Sequence, residues 1–296
     1  MPPMSSRSPA LPSPRVLLCL LATWVVWGST YLAIRVALQG FAPFVQMGSR
    51  FVVAGLLLMA WARWRGAPWP DRRQWGHALV IGALMLGGGM GGTAHAEVTV
   101  GSGLVVAFIA IGPALFALAS LPFGVRPARV EVAGIGLGLV GVLMLTRGQG
   151  FQASLPGLIA ILVACLTWTA GSVLTLHRLP LAPGAMGYAS EMLAGGTVLL
   201  ALSVAAGEPW PKAPPPAAIA AWVYLVIAGS LIAFNAYMVL LAEAPPALAS
   251  SYSFVNPVIA MGLGVGLAGE VVSPFEWAAV GVVLAGVVLL VLGRRR

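Results

Sequence analysis

Glu131-Val-Ala-Gly-Ile-Gly-Leu-Gly-Leu-Val-Gly-Val-Leu-Met-Leu145 returns 145 residues further on as Glu276-Trp-Ala-Ala-Val-Gly-Val-Val-Leu-Ala-Gly-Val-Val-Leu-Leu290. Seven of these paired positions are identical: the Glu, an Ala, two Gly, two Leu and a Val. Both copies are strongly apolar and close to the length that crosses a bilayer. A duplicated set of membrane helices is the usual construction of a secondary transporter, with the substrate site where the two copies meet.

Composition excludes a soluble globule. Of 296 residues, 59% are hydrophobic and 8% charged, against about 25% charged in a soluble domain, and mean hydropathy is +0.96. A polytopic membrane protein can leave that much apolar surface facing lipid. The net charge of +8 does not point to nucleic acid, because the 16 basic residues are scattered through short connections. Cys19 and Cys165 sit in apolar runs without CxxC or metal-ligand spacing and read as buried free thiols. Residues 1–15 read as a disordered cytoplasmic tail, its first part rich in Pro and Ser. The apolar run after Arg15 passes through Trp24 and Trp27 with no small-residue cleavage site, so it reads as a first span and not as a signal peptide.

The expected fold is an all-α membrane protein of ten transmembrane helices. Reading between charge clusters and Pro/Gly breaks places the spans at about 16–38, 44–64, 75–95, 101–121, 128–146, 155–176, 184–206, 217–241, 247–268 and 274–292. Of the basic residues, twelve fall on one side of this arrangement and three (Arg147, Lys212 and Arg35) on the other, with Arg50 inside a span. Positive charge marks the cytoplasmic side, so both termini are expected there. Five spans per copy is an odd number, so the second copy enters from the opposite face and the repeats, 16–148 and 149–293, are inverted. Gly28-Ser29 and Arg35 in span 1 match Gly171-Ser172 and Arg178 in span 6, and Pro113 in span 4 matches Pro257 in span 9.

Charge buried at bilayer depth is costly, so Arg50 and Glu191 call for a role. They are equivalent by repeat, offset by 141, and therefore lie at mirrored depths, each roughly 10 Å below its own interface. Mirrored depth argues against a direct ion pair. Two readings stand: each bonds to neighbouring helices and holds the packing, or one of them gates or couples transport, with Glu191 able to carry a proton. Asn235 and Asn256 lie deep in spans 8 and 9, where an amide must find a partner on a helix or on a substrate. Asn256 precedes Pro257, which removes a helix hydrogen bond and suits a hinge; Pro113 is its counterpart. Trp27 and Trp168 sit mid-span beside small or hydroxyl residues such as Ser29, and with Tyr252 they form either an amphipathic wall for substrate or plain packing. His95, near a span end, is either a proton shuttle or an interfacial His. Gly87-Gly-Gly-Met-Gly-Gly92 satisfies G-x-G-x-x-G inside an apolar span that follows no strand, so it does not read as a nucleotide site. Gly88/Gly92, Gly134/Gly138 and Gly262/Gly266 have the spacing of close helix packing. No cofactor or metal is implied.

The ordered set of motifs resembles the drug/metabolite transporter superfamily, specifically its EamA type of ten-span bacterial inner-membrane exporters and most of all the YedA-like group. The matching text is Trp27-Gly28-Ser29-Thr30-Tyr31, Arg50-Phe51, Trp168, Tyr252-Ser-Phe-Val-Asn-Pro257, Gly269-Glu270 and Glu276-Trp277. One departure stands at the end of span 3, where the family carries Glu-His and this chain reads His95-Ala96-Glu97. The resemblance implies a central cavity lined mainly by spans 1, 3, 4, 6, 8 and 9. It also implies export of small metabolites, amino acids among them, by alternating access across the inner membrane.

The candidate substrate-binding set is thus Trp27, Ser29, Trp168, Asn235, Tyr252 and Asn256. Arg50, Glu191 and His95 are the coupling or gating candidates, and Pro113 and Pro257 the hinges. The expected partners are a small-molecule substrate and the lipid bilayer, in a monomer or a homodimer, without nucleic acid. A lipid flippase is the nearest rival; a membrane enzyme or a scaffold is the rival from another class. Neither HExxH nor a nucleophile elbow is present, so no enzyme is expected. Without a Walker A motif, the energy is expected to come from a gradient.

Overall fold

The computed structural model describes residues 12–100, 105, 108–145, 154–268 and 273–293. Most of the expected tail, Gly269-Glu270, Arg7, Arg147 and Arg294 to Arg296 lie outside these residues. The chain runs through helices α1 (Pro14–Ala37), α2 (Pro43–Trp64), α3 (Arg72–Ala96), α4 (Gly112–Phe123) and α5 (Arg129–Leu145). The second half supplies α6 (Leu155–His177), α7 (Ala185–Ala205), α8 (Pro216–Glu243), α9 (Tyr252–Ala268) and α10 (Pro274–Gly293). Six of them (α1, α2, α3, α6, α7 and α8) are long and apolar enough to cross a membrane. Large apolar side chains such as Leu18, Leu118, Leu143 and Val204 stand exposed on the outer surface, as lipid-facing positions do.

Helix starts are written locally. Ser13 and Ser154 accept from the backbone N–H three residues on, and Asp71 forms a reciprocal capping box with Gln74. The start of α2 has no side-chain cap of its own. Glu208, from the α7–α8 connection, supplies one, its two carboxylate oxygens accepting from Phe44 N at 3.1 Å and Val45 N at 2.9 Å. The negative charge also suits the positive end of the helix dipole.

Two spans depart from the sequence expectation. Span 9 was expected to be continuous from 247; instead a single turn, Pro246–Ala249, is followed by a break at Ser250 and Ser251 before α9 begins. Both serines are buried. Ser250 Oγ donates to Pro246 O at 2.8 Å and Ser251 Oγ to Leu248 O at 2.7 Å, so each buried hydroxyl is satisfied on a carbonyl that also accepts a backbone N–H. Trp24 Nε1 adds a bond to Ser251 Oγ at 3.0 Å. Span 4 is likewise interrupted by a turn at Ala110 and Ile111, with residues 105, 108 and 109 helical before it, α4 following from Gly112, and most of 101–107 outside the described residues.

The packing follows a rule. Among the most extensive helix pairs are α2 with α7 and α5 with α10. Glycine makes both seams close: a Cβ on Gly196 would lie 2.9 Å from Val52 N, and one on Gly286 would lie 2.7 Å from Gly138 N. Elsewhere α1 packs on α9 and along α8, while α6 packs on α4 and along α3. Replacing each helix by the one five places on exchanges these partnerships. The third helix of each half also carries a π-helical stretch at its middle, Ala83–Gly91 in α3 and Leu225–Phe234 in α8. Gly88 and Gly92 meet α6 closely and Gly134 and Gly138 meet their neighbours closely, as their spacing suggested. Gly262 and Gly266 do not: a Cβ at either would meet nothing within 4 Å, because this stretch faces outward.

Candidate functional site

At the centre of the bundle four rings interlock. Trp27 of α1 meets Trp168 of α6 edge-on at 5.7 Å, Tyr252 of α9 at 4.7 Å and Tyr237 of α8 at 5.2 Å. Tyr237 in turn lies 5.1 Å from Trp168 and 5.6 Å from Tyr252. Edge-to-face contacts of this kind suit the ring quadrupoles. The polar edges are satisfied: Trp168 Nε1 donates to the Tyr237 hydroxyl at 3.1 Å, which also bonds Ser172 Oγ at 2.9 Å. Trp27 Nε1 donates to Gly229 O at 3.2 Å, a carbonyl of the α8 π stretch.

One side of this cluster opens on a cavity of about 80 Å³. Trp27, Thr30, Tyr31 and Ile34 line it from α1, Gly89, Met90 and Thr93 from α3, Gly112 from α4, Trp168 and its neighbours from α6, and Tyr252 and Asn256 from α9. The lining carries no charged side chain. Asn256 is 2% exposed, and among the described residues neither of its amide atoms completes a hydrogen bond of regular geometry, with the Tyr31 side chain as a polar neighbour. A buried amide left open is costly, and in a cavity wall it offers one donor and one acceptor to whatever enters.

Four of the six candidate binding residues (Trp27, Trp168, Tyr252 and Asn256) therefore share one cavity, and two are placed elsewhere. Ser29 points the other way, hydrogen-bonding the Tyr224 hydroxyl at 2.6 Å; two residues from Trp27 on a helix is about 200° around the axis. Asn235 turns back on its own helix, donating from Nδ2 to Leu231 O at 2.9 Å and Ser230 O at 3.3 Å. Those are carbonyls of the π stretch. Helix α8 thus backs the cavity through Tyr237 and does not line it, unlike the expectation for span 8. Thr30, Tyr31 and Thr93 are wall residues that the candidate set lacked; adding three and four to Trp27 leads to the first two.

Arg50 and Glu191 are both fully buried and form no ion pair with each other. Arg50 Nε donates to Ser230 Oγ at 2.7 Å, and its guanidinium lies 4.7 Å from the Phe51 ring centre. Nη2 finds no partner, and neither carboxylate oxygen of Glu191 does. His95 is exposed and stacks on Phe44 at 5.7 Å. Pro113 occupies the first turn of α4, where no helix bond is lost, whereas Pro257 lies inside α9.

A second, larger cavity of about 690 Å³ opens at the end of the bundle that carries the α1–α2 and α7–α8 connections. It begins one helical turn beyond the first on the same two helices, Ile34 giving way to Leu38 and Thr93 to Glu97. At the opposite end the helices are tied: Arg15 Nη1 of α1 meets Glu243 Oε1 of α8 at 2.8 Å, and Phe123 of α4 stacks on His177 of α6 at 4.3 Å.

Comparison with known proteins agrees with this architecture. The profile of the EamA-like transporter family matches twice, over residues 14–147 and 155–292. The chain is 41% identical to the uncharacterized inner membrane transporter YedA of Escherichia coli K12, over 93% of this chain and 90% of that one. It is 28% identical to the probable terminal-alkyne amino-acid exporter of Streptantibioticus cattleyicolor, over 94% of each. A solved crystal structure, 22% identical in sequence, superposes with a TM-score of 0.78 over 97% of this chain and 100% of its own. With helices of membrane-crossing length and two family matches that together span the bundle, the chain is a multi-pass membrane transporter belonging to the EamA-like transporter family.

Proposed function

We propose that this protein exports small amphipathic metabolites, amino acids or related compounds, from the cytoplasm by alternating access between two inverted five-helix repeats. The observation that carries the reading is the central cavity. It has an aromatic wall for an apolar side chain, the buried Asn256 amide for a polar group, and no fixed charge. A phosphate-bearing substrate would need the Arg or Lys cluster that this wall lacks. The exchange of helix partnerships between halves and the paired π stretches support inverted repeats, with ten spans and both termini in the cytoplasm.

At about 80 Å³ the cavity is well short of the roughly 300 Å³ of a small ligand site. Transport therefore requires it to widen. The large opening lies at the end assigned to the exterior by the charge distribution, while the Arg15–Glu243 and Phe123–His177 contacts hold the other end. This arrangement corresponds to an outward-facing state, and loading from the cytoplasm requires those contacts to part. The buried groups Arg50 and Glu191 stand where a gradient would act on the moving helices.

The test is efflux from proteoliposomes preloaded with a neutral amino acid such as L-leucine, together with cellular resistance to a toxic analogue. Export that is lost in Trp168→Ala is the expected result. No export across a panel of neutral amino acids, with movement of labelled phospholipid between leaflets instead, would replace this reading by lipid flipping.

A further inference from the structure

We propose that the 690 Å³ outer cavity is a second substrate site, one that holds an amino acid by its two charged ends before release. The inference rests on the amino-acid reading above and adds a site to it. The central cavity reads shape and hydrogen bonding but has no charge with which to recognise a zwitterion. The outer cavity has what the inner one lacks: Arg35, Glu97 and Lys212 line it together with Phe41 and Trp210. Among the described residues none of the three charged groups forms a direct salt bridge, although Arg35 lies close enough to Glu97 to act on it electrostatically. Arg35 and Lys212 are exposed, whereas Glu97 has one carboxylate oxygen sealed from solvent without a hydrogen-bond partner.

Arg35 leaves that Glu97 oxygen without a hydrogen-bond donor, and an α-ammonium group supplies one. The exposed guanidinium and ammonium at the rim are the matching partners for an α-carboxylate. Phe41, stacked at 6.3 Å on Trp222, and the exposed Trp210 give an apolar side chain a surface. The wall is stiff in advance. Pro209, Pro211, Pro214 and Pro215 form one side, packed so closely on the α1–α2 turn that a Cβ on Gly40 would lie 2.8 Å from Pro214 Cβ. The Glu208 cap on α2 fixes the adjoining side at Pro43. Preorganised walls reduce the ordering cost of binding. Since only one helical turn of α1 and α3 separates the two cavities, a solute leaving the first enters the second.

The experiment titrates wild type and Trp210→Phe in phosphatidylglycerol nanodiscs with L-leucine, N-acetyl-L-leucine and L-leucinamide, reading tryptophan fluorescence. The expected result is a saturable change with L-leucine that is absent in Trp210→Phe. Each analogue, lacking one charged end, should bind at least about tenfold more weakly. Glu97→Gln should erase the preference for L-leucine over N-acetyl-L-leucine, and Lys212→Gln, an exposed change without risk to folding, should weaken L-leucine binding. Trp168→Ala should keep the Trp210 signal while losing export. Three results would overturn the proposal: no Trp210-dependent signal while Trp168-dependent export persists, N-acetyl-L-leucine binding as tightly as L-leucine, or a signal that follows added phosphatidylethanolamine and ignores L-leucine. The first leaves the transport reading intact; conversely, absence of export by the wild type with its Trp210 signal retained overturns that reading alone.

Discussion

Asn256 separates a substrate contact from a packing residue. Its amide is buried with neither donor nor acceptor in a hydrogen bond of regular geometry, so the folded protein carries a desolvation cost of about 1–3 kcal/mol. Asn256→Leu, similar in size and apolar, should therefore leave the apparent melting temperature unchanged or raise it, while export of a neutral amino acid falls about tenfold or more. A large drop in melting temperature would instead make Asn256 structural. Tyr237 is the contrasting case. Its hydroxyl receives the Trp168 indole and bonds Ser172, so Tyr237→Phe should lower stability by about 1 kcal/mol, read by thermal denaturation in detergent. The cluster of Trp27, Trp168 and Tyr252 was legible because Trp27 and Trp168 sit in mid-span beside small or hydroxyl residues, away from the interfacial belt. Ser29 was misplaced because adjacency to Trp27 in sequence was read as adjacency in space; helical spacing selects Thr30 and Tyr31.

Elements reveal what periodicity could not. Nothing in Leu225–Phe234 distinguishes a π stretch from any apolar helix, since the widening is maintained by groups from elsewhere: Trp27 takes Gly229 O, Arg50 takes Ser230 Oγ, and Asn235 takes two further carbonyls. The break before α9 was missed because its buried serines satisfy their hydroxyls on carbonyls of the preceding turn, a pattern that serines in a continuous helix share. The glycine seams, by contrast, were written in the spacing of Gly134 and Gly138. The π stretch yields a prediction at this scale. A Cβ on Gly229 would lie 2.8 Å from Arg50 Nη2, and the guanidinium is fully enclosed, so it has no room to yield. Gly229→Ala should destabilise the protein by about 1–3 kcal/mol, seen as a lower melting temperature. Gly281→Ala, at a position on α10 where a Cβ meets nothing within 4 Å, should be neutral. Equal effects from the two would show that helix propensity, and not the π stretch, sets the loss.

For the whole molecule, the twofold character of the sequence reappears as exchanged helix partnerships, and this much was legible because duplication leaves identities at Glu131 and Glu276 and at Pro113 and Pro257. The state of the bundle was not legible, since in the proposed inverted arrangement both faces carry equivalent text and only contacts between ends distinguish them. Those contacts are the Arg15–Glu243 pair at 2.8 Å and the Phe123–His177 stack at 4.3 Å. The ion pair is largely exposed, so its own contribution is about 1 kcal/mol or less. It is a latch that ordinary thermal motion opens, as a transport cycle needs. Covalent closure should convert it into a lock. With Cys19 and Cys165 replaced, Arg15→Cys combined with Glu243→Cys should react with a bifunctional thiosulfonate whose arms span two long side chains. Export should then stop, and the tethered protein should keep its outer cavity open to an impermeant probe at Trp210. Reduction should restore export in the same vesicles, and either single cysteine treated alike should transport throughout. Continued export by the fully tethered protein would mean that α1 and α8 do not part at this end, and alternating access would then have to proceed by a different opening.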